Sequence, residues 1–168
     1  DLASGRCLGV ECLLRWTNPE LGPVSPGEFI PIAEQIGAIE EIGAWVLQQA
    51  CREISGLSEH VFVAVNVSPR QLSRGNLAAT VARALDSSGL PPERLEIEIT
   101  ESVLAENRSS IVETLQQLRN SKVTVSLDDF GTGYSSLSYL LNLPLDKLKI
   151  DKSFITGLPD DPKANAVL

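Results

Sequence analysis

Methionine is absent from all 168 residues, and histidine occurs once. The chain opens DLASGRC without an initiator methionine, so an excerpt of a longer polypeptide is expected. Cysteine is scarce: Cys7, Cys12 and Cys51 form no C-x-x-C pair. An odd count without a framework argues for reduced thiols and a cytosolic setting. Each reads as a small buried hydrophobe before it reads as a zinc ligand or nucleophile. No apolar run is long enough to cross a bilayer, and no signal-peptide pattern is present. Positive charge is also in deficit. The net charge of -8 argues against a binder of DNA or other polyanions. It leaves room for a small phosphorylated ligand, because a divalent cation can bridge acid to phosphate.

What is present suits one globular domain with a real core, at 43% hydrophobic content. A strand is expected from about Arg6 to Trp16, with Glu11, Leu13 and Arg15 on one face. The Pro/Gly-rich TNPELGPVSPGE reads as a loop. Ser25-Pro26-Gly27-Glu28 has the spacing of a capping box and predicts a short helix through FIPIAEQIG. A longer helix, Ile39 to Ile54, carries an apolar stripe at Ile39, Ile42, Val46 and Ala50. HVFVAVNVS reads as a buried parallel strand ending near Asn66. A helix near Leu77 to Leu85, the turn SSGLPPE and the strand RLEIEIT follow, with Glu96 and Glu98 on one face. A helix over Ser109 to Leu118, a strand over Val123 to Leu127, a short helix over Ser135 to Leu141 and a strand over Lys147 to Asp151 complete the series. Strands alternating with helices indicate parallel α/β architecture. Five strands are too few for a closed (β/α)8 barrel, which leaves an open doubly wound sheet or an incomplete barrel.

Polar groups collect near the C-terminal ends of these strands, where parallel α/β folds build sites: Glu11, Asn66, Glu98, Asp128 with Asp129, and Lys149. Singly, each has a structural reading. Asn66 can cap a turn, Glu98 can pair with Lys149, and Asp128 can cap the helix after the glycines. Together they pose an electrostatic problem. Four carboxylates converging on a low-dielectric pocket repel strongly, and one lysine does not balance them. A hard divalent cation does. Oxygen-only ligands suit Mg2+, Mn2+ or Ca2+, not zinc, and His60 has no motif around it. Adjacent Asp128 and Asp129, at a strand end, can each touch one of two metals, an arrangement suited to in-line displacement at phosphorus.

In order along the chain stand GVECLLRW, NVS, EIEITES, DDFGTGYSSLSYL and LKIDKSF, with FIPIAEQIG and WVLQQA between. This ordered set resembles the EAL domain family across nearly the whole chain, with Glu11-Cys12-Leu13 in the place of the E-A-L signature. The resemblance implies a TIM-like (β/α) barrel, incomplete here. It implies cleavage of the bacterial messenger cyclic di-GMP to linear pGpG with Mg2+ or Mn2+. Glu11, Asn66, Glu98 and Asp128 would then hold the first metal, with Asp128 and Asp129 on the second. Lys149 would orient the attacking water, Arg15 would pair with a ligand phosphate beside Leu13, and Glu101 would anchor the DFGTGYSSL loop. The resemblance also implies dimerisation through that loop and fusion to GGDEF, PAS or receiver domains.

Cys12 departs from the usual alanine, and alternation turns it away from Glu11. The family's preceding Q-P-I strand and its later EGVE and QG blocks are not in the sequence, so one catalytic carboxylate and the strands that close the barrel are expected to be missing. Two functions remain open: a metal-dependent phosphodiesterase, and a non-catalytic receptor for cyclic di-GMP. Intact ligand positions favour the enzyme.

Overall fold

The structure is a computed structural model that describes residues 1–74, 76–106, 109–131, 143–154 and 156. Its frame is a five-stranded parallel sheet in the order β1 (Gly9–Cys12), β4 (Phe62–Asn66), β5 (Leu95–Thr100), β6 (Thr124–Phe130) and β7 (Lys147–Ile150). Every neighbouring pair is parallel, so each crossover must return along one face of the sheet. The crossovers carry α1 (Pro26–Ile36), α2 (Ile39–Ser55), α3 (Pro69–Ser73), α4 (Leu77–Ser88) and α5 (Ser109–Asn120). No described helix is long and apolar enough to cross a membrane.

Alternation along the strands divides the sheet chemically. Val63, Val65, Leu95, Ile97, Ile99, Val125 and Leu127 are buried on the face that meets the helices. The helices answer at their own period: Val46, Leu47, Ala50, Cys51 and Ile54 on α2, Leu77, Val81, Ala84 and Leu85 on α4, and Ile111, Leu115 and Leu118 on α5 are all buried. The opposite face carries Glu96 and Glu98 on β5 and Lys147 and Lys149 on β7, joined as Lys147 Nζ–Glu96 Oε2 at 2.6 Å and Lys149 Nζ–Glu98 Oε1 at 2.7 Å. Lys147 also lies 4.3 Å from the centre of the Phe62 ring. That ring covers Gly9, where a Cβ would come within 2.4 Å of it, so only glycine fits on β1 there.

The long first strand does not form. β1 stops at Cys12, and Trp16–Asn18 (β2) pairs antiparallel with Gly22–Val24 (β3) in a separate hairpin. Asn18 directs that turn, because its Oδ1 accepts from the backbone N–H groups of Glu20 and Leu21 at 2.8 and 3.1 Å. Part of the expected loop is therefore sheet, and Leu13 and Arg15 lie on a connecting segment instead of a strand face. Cys12 does turn away from Glu11 and packs against the core. At Ser25 the backbone N–H donates to Glu28 Oε2 at 3.3 Å, as the capping-box spacing predicts. Ser68 and Gln71 make the same reciprocal cap at α3, an element the sequence reading omitted. The helix expected over Ser135 to Leu141 lies outside the described residues.

Arg94 ties the sheet to α2. Its guanidinium donates to the carbonyl of Ile54 near the end of α2 (2.8 Å) and to those of Ser58 (3.0 Å) and Val61 (2.9 Å) in the segment that leads to β4.

Two outcomes are expected. Leu115→Ala, at a side chain with no exposure, lowers unfolding free energy by about 2–5 kcal/mol in denaturant titration. Burial pushes the Cys51 thiol up to about 11 and exposes none of it, whereas Cys7 is exposed. A thiol reagent added to native protein labels Cys7 at once and Cys51 only on unfolding.

Candidate functional site

One side chain from each strand reaches the same place on the polar face: Glu11 from β1, Asn66 from β4, Glu98 from β5, Asp128 from β6 and Lys149 from β7. Oxygens of Glu11, Glu98 and Asp128 lie within 4.8 Å of one another. Asn66 Nδ2 donates to Glu11 Oε1 at 2.8 Å, which leaves the amide oxygen for another partner. Lys149 Nζ sits 2.7 Å from Glu98 Oε1 and 3.1 Å from Asp128 Oδ2. The sheet register makes this convergence: Asn66 is the Cα partner of Glu98, and Thr100 that of Asp128.

Glu98 is 2% exposed, and burial pushes its carboxyl above the ordinary range despite the Lys149 hydrogen bond. Burial acts on Lys149 in the opposite sense, but hydrogen bonds to Glu98 and Asp128 prevail and hold the ammonium above its usual value. Glu98 Oε2 is buried with no hydrogen-bond partner among the described residues. An orphaned anionic oxygen beside two further carboxylates fits a hard divalent cation, which accepts oxygen ligands only. Glu11, Asn66, Glu98 and Asp128 form a donor set of that kind.

The paired aspartates are not at a simple strand end. β6 continues to Phe130, and between the pairs Leu127–Leu148 and Phe130–Ile150 it gains one residue on β7. The extra residue is absorbed by Asp129, whose φ of 53° is left-handed, a region aspartate tolerates better than most residues. Its N–H donates to Asp128 Oδ1 at 3.0 Å. Strict alternation would send Asp129 to the far face. Burial first, then Asp128 and Asp151, raise its carboxyl above the ordinary range. Its side chain is exposed and stands outside the group of oxygens that Glu11, Glu98 and Asp128 bring within 4.8 Å of one another.

Gly131 follows at a φ of 101°, with the Phe154 ring where a Cβ would be, 2.3 Å away. Its N–H donates to Glu101 Oε2 at 3.1 Å. Residues 132–142, and with them most of the DFGTGYSSL loop assigned to dimerisation, lie outside the described residues.

Arg15 and Leu13 stand apart from the carboxylates, on the wall of an adjoining cavity of about 550 Å3 that includes Asn66. Arg15 is exposed, and its Nη1 donates to the Leu14 carbonyl at 2.9 Å, its one side-chain hydrogen bond among the described residues. α1 lends this cavity Pro26, Ile30 and Glu34. The sequence reading passed over Glu34, although the i, i+4, i+8 spacing places it on that one helical face.

A parallel sheet with an acid-rich mouth at its C-terminal strand ends defines a TIM-barrel-like (β/α) domain. The family model for the EAL domain matches residues 1–168, and the chain belongs to that family. Among curated relatives it is 42% identical over 98% of its length to the bifunctional diguanylate cyclase/cyclic di-GMP phosphodiesterase MucR of Pseudomonas aeruginosa. It is 44% identical over 94% of its length to the cyclic di-GMP phosphodiesterase NbdA of the same organism. It spans only 25% and 21% of those two proteins. The solved MucR phosphodiesterase in complex with c-di-GMP superposes with a TM-score of 0.87 at 42% identity, covering 97% of this chain and 68% of that one.

Lys149→Met removes the counter-charge of a buried carboxylate. Full burial of the pair would make this worth 3–5 kcal/mol; with Lys149 37% exposed, a loss of about 1–3 kcal/mol is expected. Glu98 already has a raised folded-state pKa, and the variant raises it further. A carboxyl with a raised folded pKa loses stability as pH rises, so the deficit is larger at pH 8 than at pH 5 in paired denaturant titrations.

Proposed function

We propose that this EAL chain acts in the metal-dependent hydrolysis of cyclic di-GMP to linear pGpG, with Mg2+ or Mn2+ in a two-metal site. The supporting observation is the convergence of Glu11, Glu98 and Asp128 within 4.8 Å around a buried, unpartnered Glu98 oxygen. Family membership and the named activities of MucR and NbdA point the same way.

In this reading Glu11, Asn66, Glu98 and Asp128 hold the first cation, and Asp128 and Asp129 meet the second. The cations supply Lewis acidity, lowering the pKa of water and neutralising charge that develops at phosphorus. Lys149 is the positioning cation. Its ammonium is locked by two carboxylates, so its remaining proton can orient the attacking water and meet the phosphate. Arg15 grips a phosphate from the adjoining cavity, with Leu13 against the ligand. Glu101 acts indirectly, by holding the Gly131 N–H and so the backbone that follows Asp129. The working protein is cytoplasmic, carries sensory or GGDEF domains and pairs through the DFGTGYSSL region.

A second reading is a receptor that binds the dinucleotide without cleaving it. One contact favours it: the Lys149 ammonium neutralises part of the cluster through Glu98 and Asp128 without a metal.

An assay of cyclic di-GMP hydrolysis by the full-length protein separates the two. Turnover that appears with Mg2+ or Mn2+ and is lost in Glu11→Ala and Asp128→Ala supports the enzyme. Unchanged turnover in either variant rejects the metal assignment, and saturable binding without turnover supports the receptor. Lys149→Ala is expected to lower kcat by about 100-fold or more with KM shifted far less. A change in KM alone would contradict its role.

A further inference from the structure

We infer that Ser126 is a positioning residue for the divalent cation, its hydroxyl donating to Glu98 Oε2, the oxygen offered to the metal. This rests on the metal reading above. Ser126 lies on the inner face of β6, since its neighbours Val125 and Leu127 point into the helix-side core. By register it is the Cα partner of Glu98 on β5 and of Lys147 on β7. The ion pairs Lys147–Glu96 and Lys149–Glu98 both reach from β7 to β5 across β6. Ser126 therefore sits beneath them, and it has no exposure.

A small side chain is required there, because a large one would stand in the path of both bridges. Alanine would meet that requirement equally well, so size does not account for the hydroxyl. Ser126 Oγ is buried with no hydrogen-bond partner among the described residues, the state in which a hydroxyl is most unfavourable. Glu98 Oε2, on the paired residue, is in the same state. A donor and an anionic acceptor, both buried and both uncommitted, thus stand at matched positions on adjacent strands. The ammonium groups nearby are engaged: Lys147 by Glu96 and the Phe62 ring, Lys149 by Glu98 Oε1 and Asp128.

Each carboxylate oxygen has two lone pairs. With Lys149 on Oε1, a cation on Oε2 still leaves that oxygen one acceptor position. A turn about χ1 carries the serine hydroxyl between staggered wells and presents its proton to that position. The hydrogen bond fixes the plane of the carboxylate, as partners behind metal ligands do elsewhere. Ser126 touches neither water nor phosphate in this role and acts through Glu98.

The test uses the full-length protein stripped of metal with a chelator, and Mn2+ as the probe. Affinity is read by EPR titration, and melting temperature is read with and without Mn2+. Ser126→Ala is expected to weaken the Mn2+ Kd by about 10-fold. Its metal-free melting temperature stays at or above that of wild type, because an unpartnered buried hydroxyl is removed. Its rise in melting temperature on adding Mn2+ is smaller, because weaker binding lowers the linked stabilisation. Ser126→Cys keeps the shape of the side chain with a weak donor and should fall between alanine and wild type. A Ser126→Ala protein whose Mn2+ Kd stays within about twofold of wild type would overturn the assignment and leave the metal reading intact. A lowered metal-free melting temperature would overturn it too, by marking the hydroxyl as structural. A wild-type protein that binds no Mn2+ would overturn both.

Discussion

The bridge from Lys149 to Glu98 and Asp128 is the constraint on which the rest of the site depends. Three strands, β5, β6 and β7, each place one charged group in the same space, and of the three Glu98 is the most deeply buried. Isolated, Glu98 would be a nearly sealed anion, and its cost would exceed what one hydrogen bond returns. The ammonium lowers that cost without abolishing it, since one Glu98 oxygen still lacks a partner. The remaining imbalance is compatible with a doubly charged ion at the cluster, in keeping with the local electrostatic strain common at functional sites.

The sheet can carry such a cluster because its two faces perform different tasks. The outer face is aliphatic, pressed against α2, α4 and α5, and it holds the fold. The inner face carries the charged groups of β5 and β7, with Glu96 and Lys147 forming a second ion pair one step below Glu98 and Lys149, beside Phe62 of β4. Successive β5 residues Glu96, Ile97, Glu98 and Ile99 show the division within a single strand, since all four are buried yet only two are apolar.

Much of this was legible in the sequence, for a physical reason. Strand and helix periods are local, so the placement of β4, β5, α2, α4 and α5 follows from which residues repeat at two or at 3.6. The convergence of Glu11, Asn66, Glu98, Asp128 and Lys149 could be anticipated because parallel strands bring their C-terminal ends to one rim. Two kinds of feature were not legible. The β2–β3 hairpin depends on Asn18 bonding to its own turn, and the flanking prolines and glycines mask that signal. The irregularity at Asp129 depends on register against β7, a partner distant in sequence, so the sequence suggests a strand end at the two aspartates where β6 in fact continues to Phe130. Arg15 was expected on a strand face, but β1 stops at Cys12 and leaves it on a connecting segment. Glu34 carried a helical signal, but its place on a cavity wall follows only from how α1 is set in the fold.

The separation of faces has an evolutionary corollary. Because hydrophobic cohesion resides on the helix side, exchange of an inner carboxylate alters chemistry at little expense to folding. Substitution along the inner rim therefore changes what that rim presents while the aliphatic layer keeps the architecture in place.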